Sequence, residues 1–185
     1  MLRNYEAFFK KLSYSKNTAS LAKAIIKNME AYRPLYNEVD SRTGIPAEIV
    51  FMIHYLESNC NFKCHLHNGD PLTARTIHVP KGRPKNGEPP FSWVESATDA
   101  LMDRAKPKEW NLNSACEFLE RYNGLGYFKR GYQSPYIFGN TNLHQKGKFT
   151  SDGKFNPEAK TKQIGASVFI CELGLFGQTS RENKS

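Results

Sequence analysis

A mainly α-helical fold, α+β in detail, with a small β-hairpin or loop lobe is predicted for this chain of 185 residues. Three observations predict it. The run Glu48-Ile49-Val50-Phe51-Met52-Ile53-His54-Tyr55-Leu56 is apolar nearly all round, which marks a helix in the middle of a core. Stretches with apolar residues at helical spacing and legible start and stop signals flank it. Between residues 61 and 90 the text changes to turns and a β-branched run, the composition of a loop lobe.

Taken in order, residues 1–18 carry Phe8, Phe9 and Leu12 and suggest a short amphipathic helix within an N-terminal extension. Residues 19–39 follow a helical pattern through Leu21, Ile25, Met29 and Tyr32, which Pro34 kinks or divides. Gly44-Ile45-Pro46 then punctuates the chain, and Pro46 suits a first helical position because its missing N–H has no partner there anyway. The buried helix from Ala47 stops at Glu57-Ser58-Asn59. Asn68-Gly69-Asp70-Pro71 is a turn signal, and the β-branched content of Thr73 to Val79 predicts a small hairpin. Lys81 to Pro90 is a basic loop, expected to be mobile. Ser92 and Glu95 form a capping-box pattern opening a helix to about Arg104. A further helix covers Leu112 to Tyr122, ending at Gly124 and Gly126. After an aromatic, glycine-rich connection, Asn156-Pro157-Glu158 is read as the start of the last helix. Residues 178–185 are expected to fray as a flexible tail. The whole fits one domain, or one domain with a small appended lobe.

Composition narrows the function classes. A hydrophobic fraction of 39% with 12% aromatics belongs to a folded chain, not a disordered one. The net charge of +8 favours a polyanionic partner: nucleic acid, an anionic membrane surface or a carboxylate-bearing cell wall. No stretch is long and apolar enough to cross a membrane, and Met1-Leu2-Arg3-Asn4-Tyr5-Glu6 lacks the order of a secretory signal, so cytoplasmic synthesis is expected. Four cysteines form no dense framework and are expected to be reduced.

Glu57 draws attention by position. It follows Ile53 and Val50 on one side of the buried helix, at the end where unpaired carbonyls carry partial negative charge. Both neighbours disfavour an ionised carboxylate, so the group is expected to hold its proton to higher pH than an ordinary Glu. Cleavage of a glycosidic bond needs such an acid, because the leaving oxygen must receive a proton. A solvated Glu at a fraying helix end is the competing reading.

Glu57-Ser58, following a hydrophobic helix, resembles the Glu-Ser motif of lytic transglycosylases and goose-type lysozymes. Arg121-Tyr122-Asn123-Gly124 resembles the Tyr-Asn-x-Gly element of the same lysozyme-like superfamily. The segments His54 to Ser58, His65 to Thr73 and Val79 to Pro84 are similar to phage and prophage endolysin-type lysozymes. The Gly-Leu-Met-Gln-type segment of the best-known transglycosylase family is absent. Spanning residues 45–170, the resemblance implies a lysozyme-like fold, with a cleft between the helical body and the small lobe. It also implies cleavage of the β-1,4 bond between N-acetylmuramic acid and N-acetylglucosamine in peptidoglycan. A monomer without cofactor or metal is expected. A membrane-permeabilising partner of the holin type would release the enzyme to the wall.

Asp70, in the turn after the buried helix, is the candidate second carboxylate. Ionised, it would activate water or stabilise an oxocarbenium-like transition state; alternatively it is simply a turn-forming Asp. Hydrolysis is preferred because Asp70 is available. Without it, Glu57 would serve as acid and then base in the transglycosylase scheme, where the sugar's own 6-hydroxyl closes an anhydro ring. Ser58, Thr73, Tyr122, Asn123, Tyr127 and Tyr136 are the candidate substrate contacts: Tyr122 to position the Glu57 proton, Asn123 to hold an acetamido group, Tyr127 and Tyr136 to offer flat faces alongside Tyr132. Two rivals compete. Cys60, Cys64, His65 and His67 have the ligand types of a zinc site but lack a distant second pair. The Lys81–Lys85 and Lys146–Lys154 segments suit a nucleic-acid-binding module without catalysis, though no recognisable motif accompanies them and no nucleic-acid partner is expected.

Overall fold

A computed structural model describes residues 2–144, 146–151 and 154–183. The protein is mainly helical with one small antiparallel sheet, and it forms two compact units. The first comprises Met1–Lys27 with Pro107–Ser185, the second Asn28–Lys106. Among the described residues no helix is long and apolar enough to cross a membrane.

In the first unit, α1 spans Tyr5–Phe9 and is capped by the Asn4 side chain, which accepts the Ala7 N–H. Tyr5, Phe9, Leu12 and Tyr14 are buried, so this stretch contributes to the unit's core and is not an extension. Helix α2 (Lys16–Glu30) begins here and continues into the second unit. Helix α6 (Leu112–Tyr122) carries a reciprocal cap between Asn111 and Ser114, and is followed by the short helices α7 (Gly126–Lys129) and α8 (Pro135–Phe138). From α6, the buried Glu120 receives the Arg3 guanidinium at 3.2 and 3.3 Å and the Tyr5 hydroxyl. That network ties the start of the chain to α6.

Strands β1 (Lys148–Ser151) and β2 (Lys154–Asn156) pair antiparallel, with Phe149 opposite Phe155. The last helix does not start at Asn156. Its side chain accepts the Glu158 and Ala159 N–H groups, but only a turn follows, and α9 runs over Ala166–Glu172. What delays it is packing. Gly139 and Gly165 touch through their backbones, and a Cβ on Gly165 would lie 2.4 Å from the Ile137 carbonyl oxygen. The chain must first reach that contact before α9 can lie against α8. Residues after Gln178 do not fray, because the Asn183 N–H donates to the Tyr14 carbonyl at 2.8 Å and the Tyr14 N–H to the Arg181 carbonyl at 3.2 Å. Lys184 and Ser185 lie outside the described residues.

In the second unit Pro34 does divide the helical text: α3 runs Arg33–Thr43 and ends on Gly44 at φ +69°. Arg33 pairs with both Glu30 and Glu48, joining the end of α2 to the start of α4 (Ala47–Ser58). Helix α5 (Trp93–Leu101) opens with the expected Ser92–Glu95 capping box and packs on α3. Between α4 and α5 the expected hairpin does not form, and no strand spans residues 61–90 among the described residues. The N–H groups that a ladder would need are taken elsewhere. Asp70 accepts those of Ile77 and His78, and the Arg83 carbonyl accepts that of Thr76. The basic end of the loop is also held, since Arg75 donates to the carbonyls of Pro84 and Gly87 and Arg83 pairs with Asp99.

Candidate active site

Helix α4 carries the site. From Ala47 to Leu56 every residue except Glu48 is buried, as an all-round apolar run requires. The helix ends because Asn59 and Cys60 both adopt left-handed backbone, at φ 54° and 58°, and return their N–H groups to the Tyr55 and His54 carbonyls. That reversal leaves Glu57 and Ser58 half-buried in the last turn. The Ser58 hydroxyl donates to the His54 carbonyl at 3.2 Å, so it supports the helix end.

His54 precedes Glu57 by one turn on the same side of α4. It is fully buried against Tyr36, Phe62 and Trp93, with ring centroids 5.9, 4.7 and 4.5 Å away. The Tyr36 hydroxyl lies 3.0 Å from its Nδ1, while Nε2 is buried without a partner among the described residues. Burial lowers the imidazole to about 4, so it is neutral at physiological pH. The neighbouring Cys60 thiol is pushed up to about 11 by burial and stays protonated.

The chain from Asn61 returns over the end of α4. Gly69, at φ +81°, passes so close that a Cβ there would sit 3.6 Å from the Glu57 carbonyl oxygen. Glu57 and the Asn68–Asp70 turn are therefore brought together. Asp70 itself is buried, and its carboxylate is occupied. Oδ2 accepts the Ile77 and His78 N–H groups at 2.8 and 3.0 Å, and Oδ1 lies 2.6 Å from His78 Nδ1. Burial pushes its carboxyl up, but the His78 ring and the two N–H donors outweigh it and hold the group at about 2. Asp70 is therefore ionised at neutral pH. Its oxygens organise the loop instead of standing ready for water, because the loop offers its own donors first.

Two histidines anchor the same loop. Buried His65 meets the Ser96 hydroxyl at 2.7 Å and the Ala74 carbonyl at 2.8 Å, and His67 meets Asp99 at 2.8 Å. Asp99 also pairs with Arg83 at 2.8 Å. Both rings are thus used in fastening the loop to α5. Among the described residues no group of three or more His, Cys, Asp or Glu side chains gathers to hold a metal.

The remaining candidates divide. Thr73 is exposed in the turn after Leu72, whereas Thr76 is buried, donating to the Pro80 carbonyl and accepting the Arg83 N–H. Tyr122, Asn123, Tyr127 and Tyr136 belong to the first unit. Tyr122 is half-buried at the end of α6, and Asn123 is exposed, its N–H donating to the Leu119 carbonyl as a helix end does. Tyr127 and Tyr136 do not offer free faces for stacking. Both are buried, and Tyr127 accepts the Phe149 N–H at 2.9 Å while its ring packs on Phe149 and Phe155. A two-stranded sheet has little core of its own, so loop aromatics cover it. Tyr132, 37% exposed, packs against Phe155 at 4.7 Å.

Sequence reasoning passed over His54, Asp99 and Arg83. A His inside an otherwise apolar helix was a usable signal for the first. Asp99 meets both His67 and Arg83 only through the fold, across separations no local pattern records. No family model, curated protein or solved structure matches the chain.

Proposed function

We propose that the protein cleaves the glycan strands of peptidoglycan, with Glu57 as the general acid. The observation that carries the reading is a half-buried glutamate at the end of a helix buried from Ile49 to Leu56, with a loop folded over that end. Glu57 donates its proton to the glycosidic oxygen as the bond to the anomeric carbon breaks, and the positive charge that develops is shared by the ring oxygen. The lysozyme-like resemblance of the Glu57-Ser58 and Tyr122-Asn123-Gly124 motifs supports the same chemistry.

Asp70 decides between two versions. Hydrolysis with Asp70 as water-activating base is disfavoured by the three donors already on its oxygens. The second version is favoured by that observation: Glu57, ionised after the first step, takes the proton from the sugar's 6-hydroxyl, whose oxygen attacks the anomeric carbon and closes a 1,6-anhydro ring. A chain made in the cytoplasm would reach the wall through a membrane opened by a holin-type partner.

Digestion of purified peptidoglycan by wild type and Glu57→Gln, with mass analysis of products, tests the reading. Glu57→Gln is expected to lose on the order of 10²–10⁴-fold in rate. Anhydro-ended products support the second version, and reducing ends support hydrolysis. Cleavage by Glu57→Gln at the wild-type rate would refute both.

A further inference from the structure

The first unit contains a pocket of about 560 Å³ whose lining includes Trp110, Phe176, Lys10, Arg181, Glu6 and Asn111. Its size lies within the range of small-ligand sites. Trp110 is half-buried and braced edge-on by Phe118 at 5.2 Å and 73°, which holds its indole in place. Phe176 is held at φ 53°, ψ 33°, between Gly174 at φ 67° and Gly177 at φ 71°. Left-handed backbone is rare for a bulky side chain, and such residues concentrate at ligand clamps. Arg181 forms no ion pair among the described residues, and its Nε is buried without a partner. Its Nη2 donates to the neutral Gln178 Oε1 at 3.5 Å, so the guanidinium charge in the pocket lining meets no anion among the described residues and suits an anionic ligand.

The geometry points to a binding site for a carboxylate-bearing amino-sugar strand, with ring faces on Trp110 and Phe176 and the sugar carboxylate on Arg181 and Lys10. Two cations against the one carboxylate of Glu6 leave a single positive charge, which suits one carboxylate per repeat. Glu6 accepts the Asn113 amide at 3.1 Å through Oε1. It offers acceptor capacity to sugar hydroxyls and repels a phosphate-rich chain. The identity of the ligand rests on the glycan-cleaving reading; the site itself rests on the pocket. Its lining residues all lie in the first unit, whereas Glu57 lies in the second.

Tryptophan fluorescence tests this directly, because Trp110 lines the pocket and the other tryptophan, Trp93, is buried in the second unit. The full chain carrying Glu57→Gln is titrated with the N-acetylglucosamine–N-acetylmuramic acid disaccharide, with neutral chitobiose and with a short single-stranded oligonucleotide. The muramyl disaccharide is expected to change the emission, Trp110→Phe to abolish the change, and chitobiose to bind at least tenfold more weakly. Arg181→Gln is expected to weaken the acidic disaccharide about tenfold and leave chitobiose unaffected. Lys10→Gln, an exposed position, repeats the test at about threefold without touching the core. Equal binding of the two sugars, tighter binding of the oligonucleotide, or indifference to both charge variants would overturn the proposal. Absence of any peptidoglycan cleavage by the wild type together with an intact Trp110 response would sink the enzymatic reading and leave this site standing.

Discussion

Asp70→Asn separates a loop organiser from a catalytic base. The substitution keeps the shape and one acceptor oxygen, which can still serve the Ile77 and His78 N–H groups that now lie at 2.8 and 3.0 Å. What disappears is the charge on that oxygen, and hydrogen bonds to a charged group exceed neutral ones by roughly 1 kcal/mol each. The His78 bond is left out of this sum, because that ring is 74% exposed and solvent screens its contribution to stability. Two bonds weakened by that amount give a loss of about 2 kcal/mol, and Asp70→Ala, which removes the acceptor, about 3 kcal/mol. For a chain of this length, Asp70→Asn should lower Tm by about 4–8 °C. Urea unfolding of a Trp110→Phe background reads the second unit through Trp93. The pH dependence has a defined sign. The folded value of about 2 lies below the unfolded one, so the stabilisation is complete above pH about 4 and is lost as pH falls through 2. Turnover on peptidoglycan, measured well below the lowered Tm, should stay near wild type. A variant of unchanged stability that has lost all turnover would refute the structural role and restore Asp70 as the second catalytic carboxylate.

Three further outcomes follow from the packing. Burial holds His54 at about 4, below its unfolded 6.5, so its contribution of about 3 kcal/mol is complete above pH 6.5 and is lost as pH falls toward 4. Urea midpoints across that range should show the slope, and His54→Leu should flatten it; an unchanged slope would exclude His54 as its source. Arg3→Ala leaves Glu120 buried with one of its two partner side chains gone, and a loss of about 3 kcal/mol is expected in thermal unfolding. A loss under about 0.5 kcal/mol would mean that the pair is solvated. Gly165→Ala places a methyl group 2.4 Å from backbone on the other side of the α8–α9 contact and should destabilise by 3 kcal/mol or more, whereas Gly124→Ala, with open space, meets only its backbone strain at φ +89°. Equal melting of those two variants would contradict the close approach.

Short-range signals were the legible part of this protein. The all-round apolar run produced α4, the Ser92–Glu95 box opened α5, and Pro34 divided α2 from α3. Each depends on residues within a turn or two of one another, so the local text contains its cause. Glu57 was legible for the same reason: both its place at the helix end and the apolar side chains before it are local.

The tertiary structure decided everything that turns on who reaches a hydrogen-bonding group first. Thr73 to Val79 had the composition of a strand, but Asp70, buried against the loop, captured the N–H groups of Ile77 and His78, and the hairpin lost its ladder. The same capture recast Asp70 from free carboxylate to loop fastener. Asn156 presented a sound cap, yet a helix needs a face to bury, and the close approach of Gly139 to Gly165 set where α9 begins. Arg3 pairs with Glu120, and Trp110 and Arg181 line one pocket, across distant stretches of chain. Sequence by itself determined α4, the start of α5 and the break between α2 and α3, and where an acid stands at the end of a helix. Only the fold determined which polar groups are already occupied, because occupancy depends on neighbours brought in from elsewhere in the chain.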